Sequence, residues 1–337
     1  MAQISSLPPA AAAPGAVAES LAVQADEPNG PRRVGPGRRL GSRLARYRWL
    51  YLLLAPGAAY FALFKYAPMY GVTIAFQDYV PFLGMLGSRW VGLAHFQEMF
   101  TNPDFLRVLT NTLILAVLNL LFVFPAPLIM ALLLNEVRLS IVKRAVQTAI
   151  YIPHFLAWTV IAALTYLLFA VDTGPVTHLM NALFHVRFQF LTDPTWFRPL
   201  IVLQSLWKGT GWGTIIYLAA LAGVDPALYE AARIDGANRW QQMRHVTVPG
   251  IRSTIVIVLV LSMGHLLDTG FDQIYLMTNS LNRSVADVFD TYVYFMGITQ
   301  GAFSSATAVG LFKGVVGVLL VFGANWVAKR TTDSGLF

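Results

Sequence analysis

Six long stretches with almost no charged residues dominate this chain of 337 residues. Each stretch is long enough to cross a bilayer as a helix, which requires roughly 20 residues. Because backbone N–H and C=O groups need hydrogen-bond partners inside a bilayer, such stretches are expected to be helical. The sequence therefore predicts an all-α, polytopic transmembrane helical bundle with six spans, at about 49–69, 108–135, 145–171, 200–224, 253–277 and 299–328.

Composition argues against a pair of soluble domains of the same total length. Hydrophobic residues make up 56% of the chain and charged residues only 12%, whereas soluble proteins average about 25% charged residues. The chain has no cysteine, which excludes disulfides and thiolate metal sites. We therefore expect one membrane domain over residues 43–337, preceded by a disordered, Ala/Pro/Gly/Arg-rich tail over residues 1–42.

The positions of the basic residues predict the orientation in the membrane. Of the 24 lysines and arginines, sixteen lie before the first span, after the last, or in the loops that follow the second and fourth spans. Positive charge marks the cytoplasmic side of a membrane protein, so both termini are predicted to be cytoplasmic. The net charge of +7 is thereby explained without nucleic acid as a partner.

The cytoplasmic loop after the fourth span contains the sequence LYEAARIDGANRW and is predicted to form two short helices. Asp225 followed by Pro226 is typical of a helix start, with an N-cap and a proline in the first turn. This helix is expected to run to about Ile234 and to end at Asp235 and Gly236, because glycine accepts the left-handed backbone conformation.

A second helix is expected to follow in the same loop. Asn238 and Gln241 have the spacing of a capping box, and Pro249 is expected to end the helix. Two short helices joined at a glycine form a rigid cytoplasmic knob, which suggests a partner with a matching groove. The alternative is an ordinary amphipathic helix that lies on the bilayer surface.

Four charged residues fall within predicted spans, where charge is costly and usually functional: Lys208, Asp268, Asp272 and Lys313. They neutralise one another across helices, or some of them line a polar route through the membrane. Of these two interpretations the first is favoured. The candidates for the route are Gln204, Trp207, Lys208, Trp212, Asp268, Asp272, Lys313 and Asn325.

The sequence offers little support for catalysis. No G-x-x-x-x-G-K-[ST] phosphate-binding loop is present, and Gly209, Gly211 and Gly213 lie in an apolar span, where they favour kinking or close helix packing. Ser140 and Lys143 have S-x-x-K spacing without the other elements of that enzyme family. The six histidines show no metal-ligand spacing. We predict no catalytic residue and no metal site.

The segment EAARIDGANRWQQMRHVTVPGI, residues 230–251, resembles the EAA signature of ABC importer permeases. Val248 stands where leucine is commoner in that signature. In the family this loop forms the coupling helices that dock into a groove of the ATPase subunit. The resemblance therefore implies an ATPase-coupling loop over residues 225–251, with these residues in that role: Glu230, Ala231, Ala232, Asp235, Gly236 and Pro249.

Other segments are similar to the polysaccharide-type carbohydrate permeases, among them YLLLAPGAAYFALFKYAPMYGVTIAFQDY, GWGTIIYLAALAGVDPALYEAARIDGA and SATAVGLF. This resemblance implies a saccharide or oligosaccharide importer in the bacterial cytoplasmic membrane. The implied partners are a second homologous permease, two ATPase subunits, an extracytoplasmic solute-binding protein, the saccharide and membrane lipid. ATP and magnesium would bind to the partner subunits, and this chain would bind no cofactor.

Two other classes of function are weighed against this one. A membrane enzyme that acts on lipid-linked glycans needs reactive residues at one interface, and the sequence has no convincing cluster. A secondary transporter needs inverted repeats and broken-helix ion sites.

Within the transport interpretation, Lys208 and Lys313 lead to a hypothesis about the cargo. Two cations within spans, of which Lys208 lies beside Trp207 and near Trp212, would suit an acidic oligosaccharide.

Overall fold

The computed structural model describes residues 47–332. The tail predicted over residues 1–42 lies outside this range. Within the described residues the chain is almost entirely helical, and its one sheet is an antiparallel pair, β1 (Gln77–Asp78) and β2 (Arg89–Trp90). The predicted helical class is therefore confirmed.

We number the α-helices of the described residues in chain order. They are α1 (Arg48–Phe61), α2 (Gly84–Gly87), α3 (Ala94–Thr101), α4 (Pro103–Leu118), α5 (Pro125–Glu136), α6 (Ser140–Tyr151), α7 (Trp158–Phe169), α8 (Pro175–Phe184), α9 (Pro194–Ala222), α10 (Pro226–Ile234), α11 (Arg239–Gln242), α12 (Val248–Gly250), α13 (Arg252–Gly264), α14 (Phe271–Met277), α15 (Arg283–Ala286), α16 (Phe289–Tyr294) and α17 (Phe303–Thr332). Several are extended by π-helical turns (Ala62–Tyr66, Asn119–Val123, Met243–Thr247, Phe295–Thr299) or 3-10 turns (Ala67–Phe76, Ile152–Phe155).

The chain divides into two compact units after Pro68. In the first unit, α1 contains Pro56 and continues into the π-helical turn that follows it. The second unit, from Met69 onward, holds the remaining helices and the small sheet.

Three helical segments are long and apolar enough to cross a membrane without a break: Arg48–Phe76, Pro103–Glu136 and Phe303–Arg330. Three further candidates are pairs of helices bent at a short break: Ser140–Phe155 with Trp158–Phe169, Pro194–Ala222 with Pro226–Ile234, and Arg239–Gly250 with Arg252–Gly264. The described residues thus contain three spans, or up to six if each bent pair is one span.

The third and fifth predicted spans are not continuous helices. The third bends by 103° between Phe155 and Trp158. In the fifth, predicted over 253–277, α13 ends at Gly264 and α14 begins only at Phe271. Gly270 has a φ of +84°, a conformation that side chains disfavour. Both breaks leave backbone carbonyls without helical partners inside an apolar region, where a polar site can form.

The helix α9 runs through the middle of the second unit and contacts most of the other spans. At one end, Phe197 and Ile201 pack in a buried cluster with Leu115 of α4 and Ile274 of α14. At the other end, Tyr217 packs against Ala131 of α5 in a second cluster. These contacts place the C-terminal half of the fifth predicted span beside the second and fourth.

Small residues let α9 approach its neighbours closely, as the glycine pattern predicts. A Cβ atom on Gly211 would collide with the backbone carbonyl of Ile150, and one on Gly213 would lie 2.7 Å from the Pro127 ring. By contrast, Gly209 faces open space. Close packing is therefore the role of Gly211 and Gly213.

Candidate functional site

The first candidate site is the loop between α9 and α13, which we call the coupling loop (residues 225–251). The backbone N–H of Ala227 donates to Asp225 Oδ1 at 2.9 Å, which caps α10 as predicted, and Pro226 occupies the first turn. At the other end of α10, the N–H of Ala237 donates to the carbonyl of Ala232 at 2.9 Å. Gly236 between them has a φ of +76°, so the predicted left-handed helix end is confirmed.

The second predicted helix start is confirmed as well. Gln241 N–H donates to Asn238 Oδ1 at 2.9 Å, while Asn238 N–H donates to Gln241 Oε1 at 2.7 Å. These two reciprocal bonds form the capping box of α11. The end of α10 and the start of α11 are both capped by hydrogen bonds. The turn at Gly236 between them therefore has a fixed backbone conformation.

The predicted end of this helix at Pro249 is one residue short of the observed end. A π-helical turn over Met243–Thr247 follows α11, and Pro249 lies inside the next turn, α12 (Val248–Gly250). Pro249 donates no backbone hydrogen bond, but the turn that contains it keeps a helical backbone. The helical path therefore continues to Gly250, and the chain bends by 60° before α13.

The coupling loop is braced by a hydrogen bond within the loop and is attached to the end of α5 by an ion pair. Tyr229 Oη donates to Thr247 Oγ1 at 3.1 Å, and Arg239 Nη1 lies 3.1 Å from Glu136 Oε2. The predicted coupling residues Glu230, Ala231, Asp235, Gly236 and Pro249 are exposed, and Ala232 is half-buried. The loop can therefore offer α10 to a partner while keeping a fixed position.

The second candidate site lies within the spans, and it begins with Gln204. This buried side chain donates to Thr165 Oγ1 at 2.7 Å and accepts from Gln273 Nε2 at 3.0 Å. Gln273 also donates to the carbonyl of Ile201 at 2.8 Å. Gln204 is thus committed to a hydrogen-bond network that joins α7, α9 and α14.

Lys208, one turn further along α9, contacts the break in the third span. Its Nζ donates to the carbonyls of His154 at 2.8 Å and Leu156 at 2.5 Å, and lies 5.3 Å from the centre of the Trp158 ring. Trp212 stacks on His154, with ring centres 4.4 Å apart and planes within 4°. Trp207 is about half exposed. Lys208 and Trp212 share one face of α9, because they are four residues apart.

Lys313 of α17 is neutralised by carboxylates. Its Nζ lies 2.6 Å from Asp268 Oδ1, at the break of the fifth span, and 2.5 Å from Asp290 Oδ1 of α16. The favoured pairing of charges across helices is therefore present for Lys313 and Asp268. Asp272 is exposed and has no ion pair within the described residues.

Sequence reasoning missed Asp290, because it lies between the fifth and sixth predicted spans. The surrounding segment VFDTYVYFMG is apolar and aromatic, and Phe289 is fully buried. That pattern could have identified a buried segment. The structure places α16 against α17 through a packing of Phe289 on Phe105 and Phe312, which brings Asp290 to Lys313.

A cavity of about 430 Å³ separates α9 from α13 and from the π-helical turn between α4 and α5. Asn119, Tyr217 and Thr269 are among its lining residues, and each has a polar atom (Oδ1, Oη and Oγ1) without a hydrogen-bond partner within the described residues, although these three atoms themselves are buried away from the cavity space. Asp268 also lines this cavity. Ser205, Ser262 and His265 also line it and are at least partly accessible, so the cavity can accept a hydroxyl-bearing ligand or water.

Comparison with known proteins decides the family. Residues 123–333 match the model of the binding-protein-dependent transport system inner membrane component. The chain belongs to this family. It is therefore a permease component of a transport system, located in the inner membrane, and the family is not one of enzymes. This result favours transport over the alternative of a lipid-linked glycan enzyme.

Individual relatives match nearly the whole chain. LplB of Bacillus subtilis is 59% identical over 90% of this chain and 95% of its own length. The polygalacturonan/rhamnogalacturonan permease YteP of the same organism is 52% identical over 89% and 94%. A chain of the bacterial alginate ABC transporter, solved with an alginate-bound periplasmic protein, has 38% identity and a TM-score of 0.83 over 88% of this permease and 100% of that chain.

Proposed function

We propose that this permease imports acidic oligosaccharides, driven by ATP hydrolysis in partner subunits. Two kinds of relative support this substrate class. YteP is named for polygalacturonan and rhamnogalacturonan, and a structural relative with a TM-score of 0.82 imports the acidic polysaccharide alginate. These substrates share many hydroxyl groups and repeated carboxylates, so they need both hydrogen-bonding groups and positive charge along their route.

The observation that carries the proposal is the cavity between α9 and α13. Among its lining residues, Ser205, Ser262 and His265 have accessible polar side chains, and sugar hydroxyls can donate to and accept from such groups. Among the predicted route residues, Asp268 lines the cavity, and Lys208 and Trp212 lie on α9. We assign Gln204, Lys313 and Asp268 to the support of the route, since their partners are other protein groups.

Energy is proposed to enter at the coupling loop. The chain has no phosphate-binding loop in its sequence, so ATP and magnesium would bind to two ATPase subunits that receive α10 in a groove. A second, homologous permease would complete the membrane part, and an external binding protein would deliver the oligosaccharide. Alternating access then follows when closure of the ATPase pair moves the two coupling loops.

The proposed topology has six spans in the bacterial cytoplasmic membrane, with each bent helix pair counted as one span and both termini in the cytoplasm. The cysteine-free sequence makes a labelling test clean. Single cysteines in place of Ser42 and Ser334 are expected to resist an impermeant thiol reagent in intact cells and to react after permeabilisation. Labelling of either cysteine in intact cells would rule out this topology.

Uptake in cells tests the proposed substrate. A strain that lacks this gene but keeps the other subunits is expected to lose uptake of a labelled galacturonate trisaccharide, and the wild-type gene is expected to restore it. A vector carrying only residues 1–224, which lacks the coupling loop and every helix after it, serves as the negative control. Unchanged uptake in the deletion strain would show that the acidic oligosaccharide is not the cargo.

A further inference from the structure

The two lysines inside the spans have opposite electrostatic surroundings. Lys313 faces two carboxylates within 2.6 Å, Asp268 and Asp290, so its site carries one excess negative charge. Lys208 has no ion-pair partner within the described residues, and its hydrogen bonds go to the carbonyls of His154 and Leu156. Carbonyl dipoles solvate an ammonium group but leave its charge in place. Of the two, only Lys208 can therefore attract an anion.

The break in the third span explains how a cation is held there without an acid. The carbonyls of His154 and Leu156 lie where the helical path bends by 103°, and carbonyls at a helix end carry partial negative charge. They fix the Lys208 ammonium in position. An ammonium group has three donors, and two of them are used, so one remains for a ligand.

Aromatic faces complete the arrangement on the same side of α9. Trp158 lies 5.3 Å from Lys208 Nζ, and Trp212, which stacks on His154, is 49% exposed. A sugar ring can lie against such an indole face, since the C–H side of the ring is apolar and indole offers a large flat surface. A carboxylate on that ring can then reach the ammonium.

We propose that Lys208 is the residue that selects carboxylate-bearing sugars, and that Lys313 takes no part in this selection. This inference rests on the proposed function as an acidic oligosaccharide permease. The sequence alone suggested that both Lys208 and Lys313 face the cargo. The structure leaves only Lys208 in this role, because the carboxylates around Lys313 would repel a further anion. A hydrogen bond between charged groups corresponds to about tenfold or more in apparent affinity.

The test compares uptake of a galacturonate trisaccharide with that of its methyl ester, which is neutral. The full chain is assembled with its partner subunits, and the binding protein is the same in every measurement. Lys208→Gln is expected to raise the KM for the acidic probe about tenfold and to leave the KM for the ester within twofold. Lys208→Arg, which keeps the charge, is expected to retain most of the preference.

The matched control changes the other lysine without changing the charge of its site. Lys313→Gln combined with Asp290→Asn leaves one negative charge, as in the wild type, and is expected to keep the wild-type ratio of the two KM values. An equal change for both probes in Lys208→Gln would show that Lys208 only braces the helix break. Selective loss in the control would also overturn the proposal.

A second pair of variants covers the case in which Lys208→Gln does not fold. Trp212→Glu places a carboxylate one turn from Lys208, whereas Trp212→Gln has the same size and no charge. The glutamate variant is expected to have a KM for the acidic probe at least about tenfold above that of the glutamine variant. Equal values would overturn the role of Lys208. A wild-type protein without any preference for the acidic probe would overturn the proposed substrate class as well.

Discussion

Replacing Lys313 by methionine is expected to destabilise the protein by about 2 to 3 kcal/mol. Removal of the lysine leaves Asp268 and Asp290 facing each other without a cation. Breaking a fully buried ion pair costs roughly 3 to 5 kcal/mol, and the cost here is lower because the Asp268 side chain is 51% exposed. The Lys313 side chain itself is only 17% exposed, so water replaces little of the lost interaction.

Unfolding of the detergent-solubilised protein by denaturant measures this effect. The control is Lys329→Met, which removes an exposed lysine from the same helix and is expected to change the free energy of unfolding by less than about 0.5 kcal/mol. Adding Asp290→Asn to Lys313→Met is expected to recover a large part of the loss, because one uncompensated carboxylate is removed. A Lys313→Met protein as stable as the control would contradict the charge assignment.

Replacing Gly236 by proline is expected to abolish coupling between ATP hydrolysis and uptake. Gly236 has a φ of +76°, whereas proline is fixed near −65°. Proline also removes the N–H that donates to the Arg233 carbonyl at 3.1 Å. The turn between α10 and α11 must then change direction, so α10 would no longer be presented in the geometry that we propose for docking.

Substrate-stimulated ATP hydrolysis and co-purification of the ATPase subunits measure this loss of coupling. Both are expected to fall at least tenfold in Gly236→Pro, while the helical circular dichroism signal of the membrane domain stays the same. Gly236→Asn is the matched control, since asparagine tolerates the left-handed conformation, and it is expected to retain most of the activity. Normal substrate-stimulated ATP hydrolysis in Gly236→Pro would show that the coupling loop does not link ATP hydrolysis to uptake.

Local chemistry made parts of this structure predictable from the sequence. The N-cap at Asp225, the left-handed turn at Gly236 and the capping box of Asn238 with Gln241 each depend on residues within a few positions of one another. The apolar stretches likewise predicted helices, because a bilayer leaves the backbone few alternatives. Such features need no knowledge of distant contacts.

Breaks inside the spans were not predictable in the same way. Pro153 and the segment GHLLDTG, residues 264–270, are local signals near the two breaks, but the arrangement at each break depends on groups brought from elsewhere in the chain. Lys208 of α9 binds the carbonyls at one break, and Lys313 of α17 binds Asp268 at the other. The sequence indicated that these lysines needed partners, but a one-dimensional pattern does not show which residues lie opposite.

Reconstituted uptake tests the central claim, that this chain is the route for an acidic oligosaccharide while ATP is hydrolysed in partner subunits. Proteoliposomes would contain the chain, the second permease and the ATPase subunits, with ATP inside and the binding protein outside. We predict accumulation of a galacturonate trisaccharide that requires internal ATP, stops with a non-hydrolysable ATP analogue and is absent without this chain. Accumulation driven by an ion gradient without ATP, or equal uptake by vesicles lacking the chain, would contradict the claim.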